Sequence, residues 1–303
     1  MLICLVMETI FMHKNILVTG ANGQLGSELQ VLSKTEAFSH FAYYFTDKDT
    51  LDIANKSDIE LFCKENKIDT IINCAAYTAV DKAEEDKKMA DLINHVAVRY
   101  MAEIAKEYDI ALIQVSTDYV FDGKNYRPYV EDDVVSPQGV YGKTKLYGEE
   151  AMFGINPPNS MIIRTSWVYS SFGNNFVKTM LRLGKERDTL GVIFDQVGTP
   201  TYARDLAETI LSILASDTKV ENSVVPIYHY SNEGVCSWYD FAKEIFTLSD
   251  IECRVNPILT SEYPTPAKRP HYSVLNKNKI KLAYSIEIPY WKDSLKSCLS
   301  LLN

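Results

Sequence analysis

The sequence lacks the cysteine and histidine patterns of disulfide-linked and metal-binding proteins. Its six cysteines are scattered over 303 residues, without a C-x-x-C pair and without a histidine partner at ligand spacing. No cluster of other residues has the spacing of a metal site either. We therefore predict free thiols, no metal centre and a reducing, cytoplasmic compartment.

Positive charge is also scarce. The chain has 31 Lys and Arg against 40 Asp and Glu, which gives a formal net charge of −9. This balance argues against non-specific nucleic-acid binding and gives no reason to expect a polybasic membrane anchor. An anionic small molecule is still allowed, because a local pocket can be basic on an acidic protein.

Long hydrophobic runs and low-complexity tracts are missing as well. The apolar segment Met1–His13 is too short to span a bilayer, has no basic n-region and precedes no small-residue cleavage site. We expect it to be a disordered or loosely docked extension, with Met12 as a candidate natural start. The remaining chain is long enough for one large domain or two of ordinary size.

The patterned part of the sequence begins with a strand, a glycine turn and a helix. The apolar run Asn15–Thr19 leads directly into Gly20, Gly23 and Gly26, and helical spacing follows. Glycines at this spacing allow a tight turn, close approach of a pyrophosphate and close helix–strand packing. The N-terminus of the helix then attracts the diphosphate. These three glycines are therefore predicted to bind a dinucleotide cofactor.

An acidic residue stands at the distance that such a unit requires. A second apolar run, Phe41–Phe45, ends at Asp47-Lys48-Asp49, about 20 residues past the glycine turn. Asp47 could hold the adenosine ribose of NAD, whereas Lys48 could accept the 2′-phosphate of NADP. Cofactor preference stays open, and a solvated turn is an equally good interpretation of Asp47.

Strands and helices alternate through the first half of the chain. Further buried strands are predicted at Asp69–Ala76, Ile110–Val115 and Met161–Ile163, with helices between them. This alternation is typical of a parallel sheet with right-handed crossovers, whose ligands bind at the carboxyl ends of the strands. We predict a Rossmann-type, doubly wound α/β fold.

The pattern loosens in the second half, which indicates a second unit. We predict a dinucleotide-binding domain over residues 14–165 and a smaller α/β substrate-binding lobe over residues 166–303. Elements at about residues 190–230 are expected to return to the first domain.

A phenol and an amine suited to proton transfer begin the predicted helix Val140–Phe153. Tyr141 and Lys145 are four residues apart and project from one helical face. The lysine charge should lower the pKa of Tyr141 from about 10, making it a general acid. Ser116 and Thr117, directly after the fourth strand, should aim hydroxyls at the same site. On its own the Tyr-x-x-x-Lys pattern is common on surface helices.

Together these features resemble the extended short-chain dehydrogenase/reductase superfamily, and longer blocks narrow the resemblance to the dTDP-4-dehydrorhamnose reductase family. The resemblance runs through nearly the whole chain from about Met12. The blocks that carry it are residues 75–84, 116–121, 140–145, 164–169 and 263–270, in that order.

The resemblance implies hydride transfer from NADH or NADPH to the C4 ketone of a dTDP-sugar, without a metal. It implies that Tyr141 protonates the ketone oxygen, that Thr117 hydrogen-bonds this oxygen, and that Lys145 holds the nicotinamide ribose. The implied substrate contacts are Asp118, Trp167, the Gly198–Thr201 loop and Arg269, the last of which could instead be a structural crossing. The implied cofactor contacts are Gly20, Gly23, Gln24, Leu25, Gly26, Asp47, Asp52, Ile53, Ala75, Ala76, Tyr77, Val115, Tyr141 and Lys145.

Two alternatives stay open. One is another sugar-nucleotide reductase or epimerase of the same superfamily, since sugar identity depends on pocket shape. The other is a non-catalytic NADP-binding regulatory subunit, although the set Thr117, Tyr141 and Lys145 favours catalysis. We expect no nucleic-acid or membrane partner, and a homodimer is an allowed assembly.

Overall fold

The computed structural model describes residues 14–216 and 223–302, so the predicted extension Met1–His13 lies outside the described residues. Its central sheet has six strands, in the order β2, β1, β3, β4, β5, β10. All five strand pairs are parallel. The strands are β1 (Asn15–Thr19), β2 (Ala42–Thr46), β3 (Thr70–Asn73), β4 (Ala111–Thr117), β5 (Met161–Thr165) and β10 (Ile227–His229). The predicted Rossmann-type parallel sheet is confirmed.

Helices flank this sheet and build the rest of the molecule. They are α1 (Gln24–Leu32), α2 (Lys56–Glu65), α3 (Val80–Ala83), α4 (Lys87–Asp91), α5 (Ala97–Glu107), α6 (Val140–Ile155), α7 (Phe176–Glu186), α8 (Ala203–Ala215), α9 (Trp238–Leu248), α10 (Asn278–Tyr284) and α11 (Trp291–Leu299). The helical stretch between β3 and β4 is interrupted, because a π-helical turn at Leu92–Val96 joins α4 to α5.

Two apolar cores lie on opposite faces of the sheet because successive strand residues point to opposite sides. Ile16 and Val18 of β1 enter the core with α1 and α8, whereas Leu17 enters the core with α2, α5 and α6. All three β1 side chains are fully buried. Helices on both faces explain why the strands read as continuous apolar runs.

A third core defines the smaller lobe. It is built mainly from α7, α9 and α11 together with two parallel strands. The short strands outside the central sheet are β6 (Val168–Tyr169), β7 (Thr189–Ile193), β8 (Val197–Gly198), β9 (Thr201–Tyr202), β11 (Cys236–Ser237) and β12 (Arg254–Ile258). Strand β12 was missed from sequence because Pro257 argues against a strand; it is tolerated here since β12 pairs only with β7.

The chain passes between the two units more than once. Helix α8 packs on α1 in the first core, β10 completes the central sheet, and α10 packs against β10. Strand β7, by contrast, stays in the core of the lobe. The segments outside residues 14–165 that pack with the central sheet are α8, β10 and α10, the last of which sequence reasoning missed.

Two glycines allow a matched test of this packing. A Cβ on Gly26 would lie 2.5 Å from the Gly20 carbonyl oxygen, whereas a Cβ on Gly154 would meet no heavy atom within 4 Å. We expect Gly26→Ala to lower the free energy of unfolding by about 1–3 kcal/mol. Gly154→Ala should raise it by up to about 1 kcal/mol, because alanine favours helix. Urea unfolding followed by circular dichroism measures both; equal effects would contradict the close contact.

Candidate active site

A groove of about 320 Å³ opens over the carboxyl ends of β1, β2 and β3. This is where the strand order reverses, because β1 leads to β2 on one side and the chain then crosses to β3 on the other. Ligands of such sheets bind at this position. The predicted cofactor residues that line the groove are Gly20, Gly23, Asp47, Asp52, Ile53, Ala75 and Ala76.

The glycine turn has the shape that a dinucleotide needs. Gly20 has a φ of +66°, and a Cβ there would lie 2.6 Å from the backbone nitrogen of Ala75. Gly23 begins α1 without a side-chain cap, so the first amides of the helix are available to a ligand. The residues present therefore fit the diphosphate of a bound dinucleotide.

Not every implied cofactor residue faces the groove with its side chain. Leu25 belongs to the apolar core of the sheet. Gln24 reaches the smaller lobe instead, where its Oε1 accepts a hydrogen bond from Asn175 at 2.9 Å. Gly26 packs against the Gly20–Ala21 backbone. For these three residues the backbone is the part available to a cofactor.

Asp47 is partly exposed. It lies in a turn and also at the rim of the groove. Its carboxylate accepts hydrogen bonds from the backbone of Asp49 at 3.0 Å and from the Thr50 hydroxyl at 3.1 Å. These bonds hold its pKa below the usual value. Lys48 beside it is exposed, 3.7 Å from Asp49. Both interpretations of Asp47, turn residue and ribose ligand, are compatible with this arrangement.

Thr117 and Tyr141 come together at the carboxyl end of β4. Thr117 is the last residue of β4. Its hydroxyl donates to Asp118 at 3.0 Å and lies near enough to the Tyr141 phenol to lower the pKa of that group. Tyr141 stands in the first turn of α6, with the ring of Tyr119 edge-on at 5.4 Å. A hydroxyl and a phenol therefore converge on one point beside the groove.

The pKa prediction for Tyr141 is wrong in direction. Burial raises the pKa of Tyr141 to about 12, and the hydrogen bond from Thr117 offsets only part of this effect. Lys145 does not bring the pKa of Tyr141 down again, because its Nζ donates its hydrogen bond to the Val115 carbonyl oxygen at 2.6 Å. Burial also lowers the pKa of Lys145, to about 8. The phenol is therefore a protonated acid at neutral pH.

A buried carboxylate that sequence reasoning missed lies beneath these residues. Glu149 is 0% exposed and Arg164 is 2% exposed. Arg164 donates to both carboxylate oxygens of Glu149, at 3.0 Å from Nε and 2.7 Å from Nη2. The Ser116 hydroxyl donates to the same carboxylate. The available signal was its spacing, since Glu149 follows Lys145 by four residues on α6.

This carboxylate fixes the catalytic helix to two strand ends. Ser116 belongs to β4 and Arg164 to β5, and the two residues are register partners in the sheet. The Glu149 charge also raises the pKa of Lys145 against the effect of burial. Glu149 therefore positions Tyr141 and Lys145 without reaching the groove itself.

The π-helical turn places a second missed residue at the rim of the groove. Asn94 is buried, and its side chain accepts from the Tyr77 backbone at 2.9 Å and donates to the Tyr77 carbonyl at 3.2 Å. It also donates to Thr144 of α6 at 3.2 Å. The segment Ala75–Tyr77 is thereby held next to the catalytic helix.

The implied substrate residues differ in how free their side chains are to contact a ligand. Asp118 is buried, which raises its pKa to about 6. Trp167 is partly buried at the junction of the two units. Arg269 is committed to Asp81 by two hydrogen bonds, of 2.9 and 2.7 Å. The ion pair supports the structural-crossing interpretation of Arg269; its contact with substrate stays a prediction.

Two features are absent from residues 14–216 and 223–302. No helix in these ranges is long and apolar enough to cross a membrane. No group of three or more His, Cys, Asp or Glu side chains there could hold a metal ion.

Comparisons with known proteins agree on one family. The family described as "RmlD substrate binding domain" matches residues 13–303. The chain is 43% identical to a dTDP-4-dehydrorhamnose reductase of Aggregatibacter actinomycetemcomitans, over 93% of this chain and 97% of that protein. A crystal structure of such a reductase from Clostridium acetobutylicum has a TM-score of 0.88 at 45% identity, covering 95% and 99% of the chains. The Bacillus anthracis reductase, solved in complex with NADP, has a TM-score of 0.88 at 38% identity, covering 95% and 99%.

The buried ion pair has an exposed counterpart for comparison. Glu149→Ala would leave the Arg164 charge buried without a partner, so we expect the free energy of unfolding to fall by about 3–5 kcal/mol. Glu186→Ala breaks the exposed pair with Arg182, whose side chains are more than half exposed, and should cost less than about 1 kcal/mol. Urea unfolding of both variants measures the difference, and similar losses would argue against the structural role of Glu149.

Proposed function

The chain belongs to the family described as the RmlD substrate binding domain, and from this premise we propose how its catalytic edge works. The protein is an NAD(P)H-dependent dTDP-4-dehydrorhamnose reductase. It reduces the C4 ketone of dTDP-4-dehydro-6-deoxy-L-mannose to dTDP-L-rhamnose, in dTDP-rhamnose biosynthesis. The observation that carries the mechanism is the convergence of Thr117 and Tyr141 beside the groove of the glycine turn.

The reaction requires a hydride at the ketone carbon and a proton at the ketone oxygen. The reduced nicotinamide, when bound, supplies the hydride. As negative charge grows on the oxygen, the Thr117 hydroxyl stabilises it by a hydrogen bond. Tyr141 donates its proton to this oxygen, and the resulting tyrosinate regains a proton from solvent.

Lys145 supports this step through its charge and its position. Its Nζ lies against the Val115 carbonyl at the end of β4, where a nicotinamide ribose would be bound. With a ribose in place, the ammonium stabilises the tyrosinate that forms when the proton leaves. Glu149 keeps the ammonium charged in this buried position.

The groove residues bind the cofactor in parts. The turn with Gly20 and Gly23 and the N-terminus of α1 receive the diphosphate, and Ala75–Tyr77 line the path towards Thr117. Asp47 holds the adenosine ribose, with Lys48 available to a 2′-phosphate. A related reductase was solved in complex with NADP, and we assign NADPH or NADH to this groove.

A phenylalanine substitution tests the proton donor. Tyr141→Phe removes the only proton that this mechanism places on the ketone oxygen, so we expect kcat to fall by about 10²–10⁴-fold. The Kd for NADPH should change little, since the ring stays in place. Oxidation of NADPH with dTDP-4-dehydro-6-deoxy-L-mannose, followed by absorbance, measures the loss.

Tyr147→Phe is the matched control for this variant. Tyr147 lies on the same helix but is 45% exposed, so its loss should leave kcat unchanged. A Tyr141→Phe protein that fails to bind NADPH would make Tyr141 structural. Wild-type protein that binds NADPH tightly but never turns over this sugar would favour another substrate or a regulatory role.

The depressed pKa of Lys145 predicts a pH dependence. Because burial lowers this pKa to about 8, the ammonium is present below about pH 8 and is lost as pH rises through that value. NADPH affinity should therefore decline above about pH 8, although the Tyr141 phenol remains protonated. Fluorescence titration from pH 6 to pH 10 measures the Kd.

Lys145→Met is the control for this titration. Without the ammonium, affinity should be weaker and flat across the same pH range. Loss of affinity through general unfolding is excluded by a parallel stability measurement. The Lys145 contribution to stability rises between about pH 8 and pH 10, because the unfolded chain binds the extra proton there.

A further inference from the structure

Trp167 adopts a backbone conformation that tryptophan rarely takes. Its φ is +49°, in the left-handed region. A bulky residue is held there only when its surroundings fix it, and such residues concentrate at functional sites. The groups packed against the Trp167 indole therefore hold this backbone conformation.

Strand β8 and the start of α9 supply those groups. The Trp238 ring stacks on the Trp167 ring with centroids 3.6 Å apart and an interplanar angle of 11°. A Cβ on Gly198 would lie 2.7 Å from the same indole, so only glycine leaves room for it. Gly198 in β8 pairs with Cys236 in β11, and Trp238 follows β11 directly. The pairing of β8 with β11 therefore brings both Gly198 and Trp238 against the Trp167 indole.

The Trp167 backbone lies just beyond the strand that pairs with β4. Thr165 of β5 is the register partner of Thr117, and Trp167 follows it by two residues. The Trp167 carbonyl accepts a hydrogen bond from Thr201 at 3.2 Å, so its backbone is also tied to the start of β9. Trp238 belongs to the lobe, where Phe176 packs on it at 4.6 Å.

We propose that Trp238 is a positioning residue for the sugar nucleotide, acting through Trp167. By stacking, it holds the Trp167 indole as a preformed wall of the substrate site at the junction of the two units. Because the Trp167 side chain is already ordered before binding, substrate binding does not have to offset the entropy of ordering it. Trp238 therefore contributes to substrate affinity, and this inference rests on the proposed function.

Steady-state kinetics separate this role from simple packing. Trp238→Leu should raise KM for the sugar nucleotide about 3- to 10-fold, the range expected from losing an aromatic pair. The NADPH Kd should stay constant and kcat should change less than about threefold, because the Thr117–Tyr141 pair is untouched. Trp238→Phe keeps a flat ring in the stack and should restore most of the affinity.

A double-mutant cycle tests whether the effect passes through Trp167. In a Trp167→Leu background, adding Trp238→Leu should change KM by less than about twofold, since the wall is already lost. Exciton coupling between the stacked indoles gives an independent signature in circular dichroism. The couplet should disappear in Trp238→Phe and persist in Trp291→Phe, whose ring packs on Phe241 instead.

Two outcomes would overturn the inference. Additive effects of the two tryptophan substitutions would show that Trp238 acts independently of Trp167. A lower Tm of Trp238→Leu with unchanged KM would assign Trp238 to packing of the lobe. If Trp238→Leu fails to fold, Trp238→Met carries the same comparison of KM with kcat. Wild-type protein without turnover contradicts the proposed function as well, whereas wild-type turnover with unchanged KM in Trp238→Leu contradicts this inference alone.

Discussion

The contact between Glu149 and Arg164 is the constraint on which the catalytic edge depends. It joins α6 to the ends of β4 and β5 in a region closed to solvent. Lys145 is a second buried cation, so the Glu149 carboxylate interacts with two positive charges. A buried ion pair seldom stabilises a fold more than apolar packing would. The ion pair acts here by fixing the position of α6, because a shift of this helix would separate Tyr141 from Thr117.

Local patterns in the sequence were enough to predict the sheet and the residues that meet at the carboxyl end of β4. The glycine turn, the Tyr141–Lys145 spacing and the hydroxyls at the end of β4 are short-range signals, and the structure brings Thr117 and Tyr141 together. Glu149, Asn94 and Trp238 depend on partners far along the chain, which periodicity does not reveal. The pKa of Tyr141 was misjudged because helical spacing shows a neighbouring charge but not the burial that outweighs it.

The two units are less separate than a division of the sequence suggests. Helix α8, strand β10 and helix α10 pack with the central sheet, although α8 directly follows β9, whose Tyr202 packs in the core of the lobe. Gln24 and Asn175 add a polar contact between the glycine turn and the start of α7. The groove of the glycine turn and the segments around Trp167 are thus parts of one connected framework.

The ion pair between Asp81 and Arg269 bears on the order in which the site is made. These residues are 188 positions apart, and Ala267 adds a backbone hydrogen bond of 3.1 Å to the same carboxylate. The walls of the cofactor groove come from the first third of the chain. The Asp81 carboxylate can therefore make this contact only after most of the chain has been synthesised.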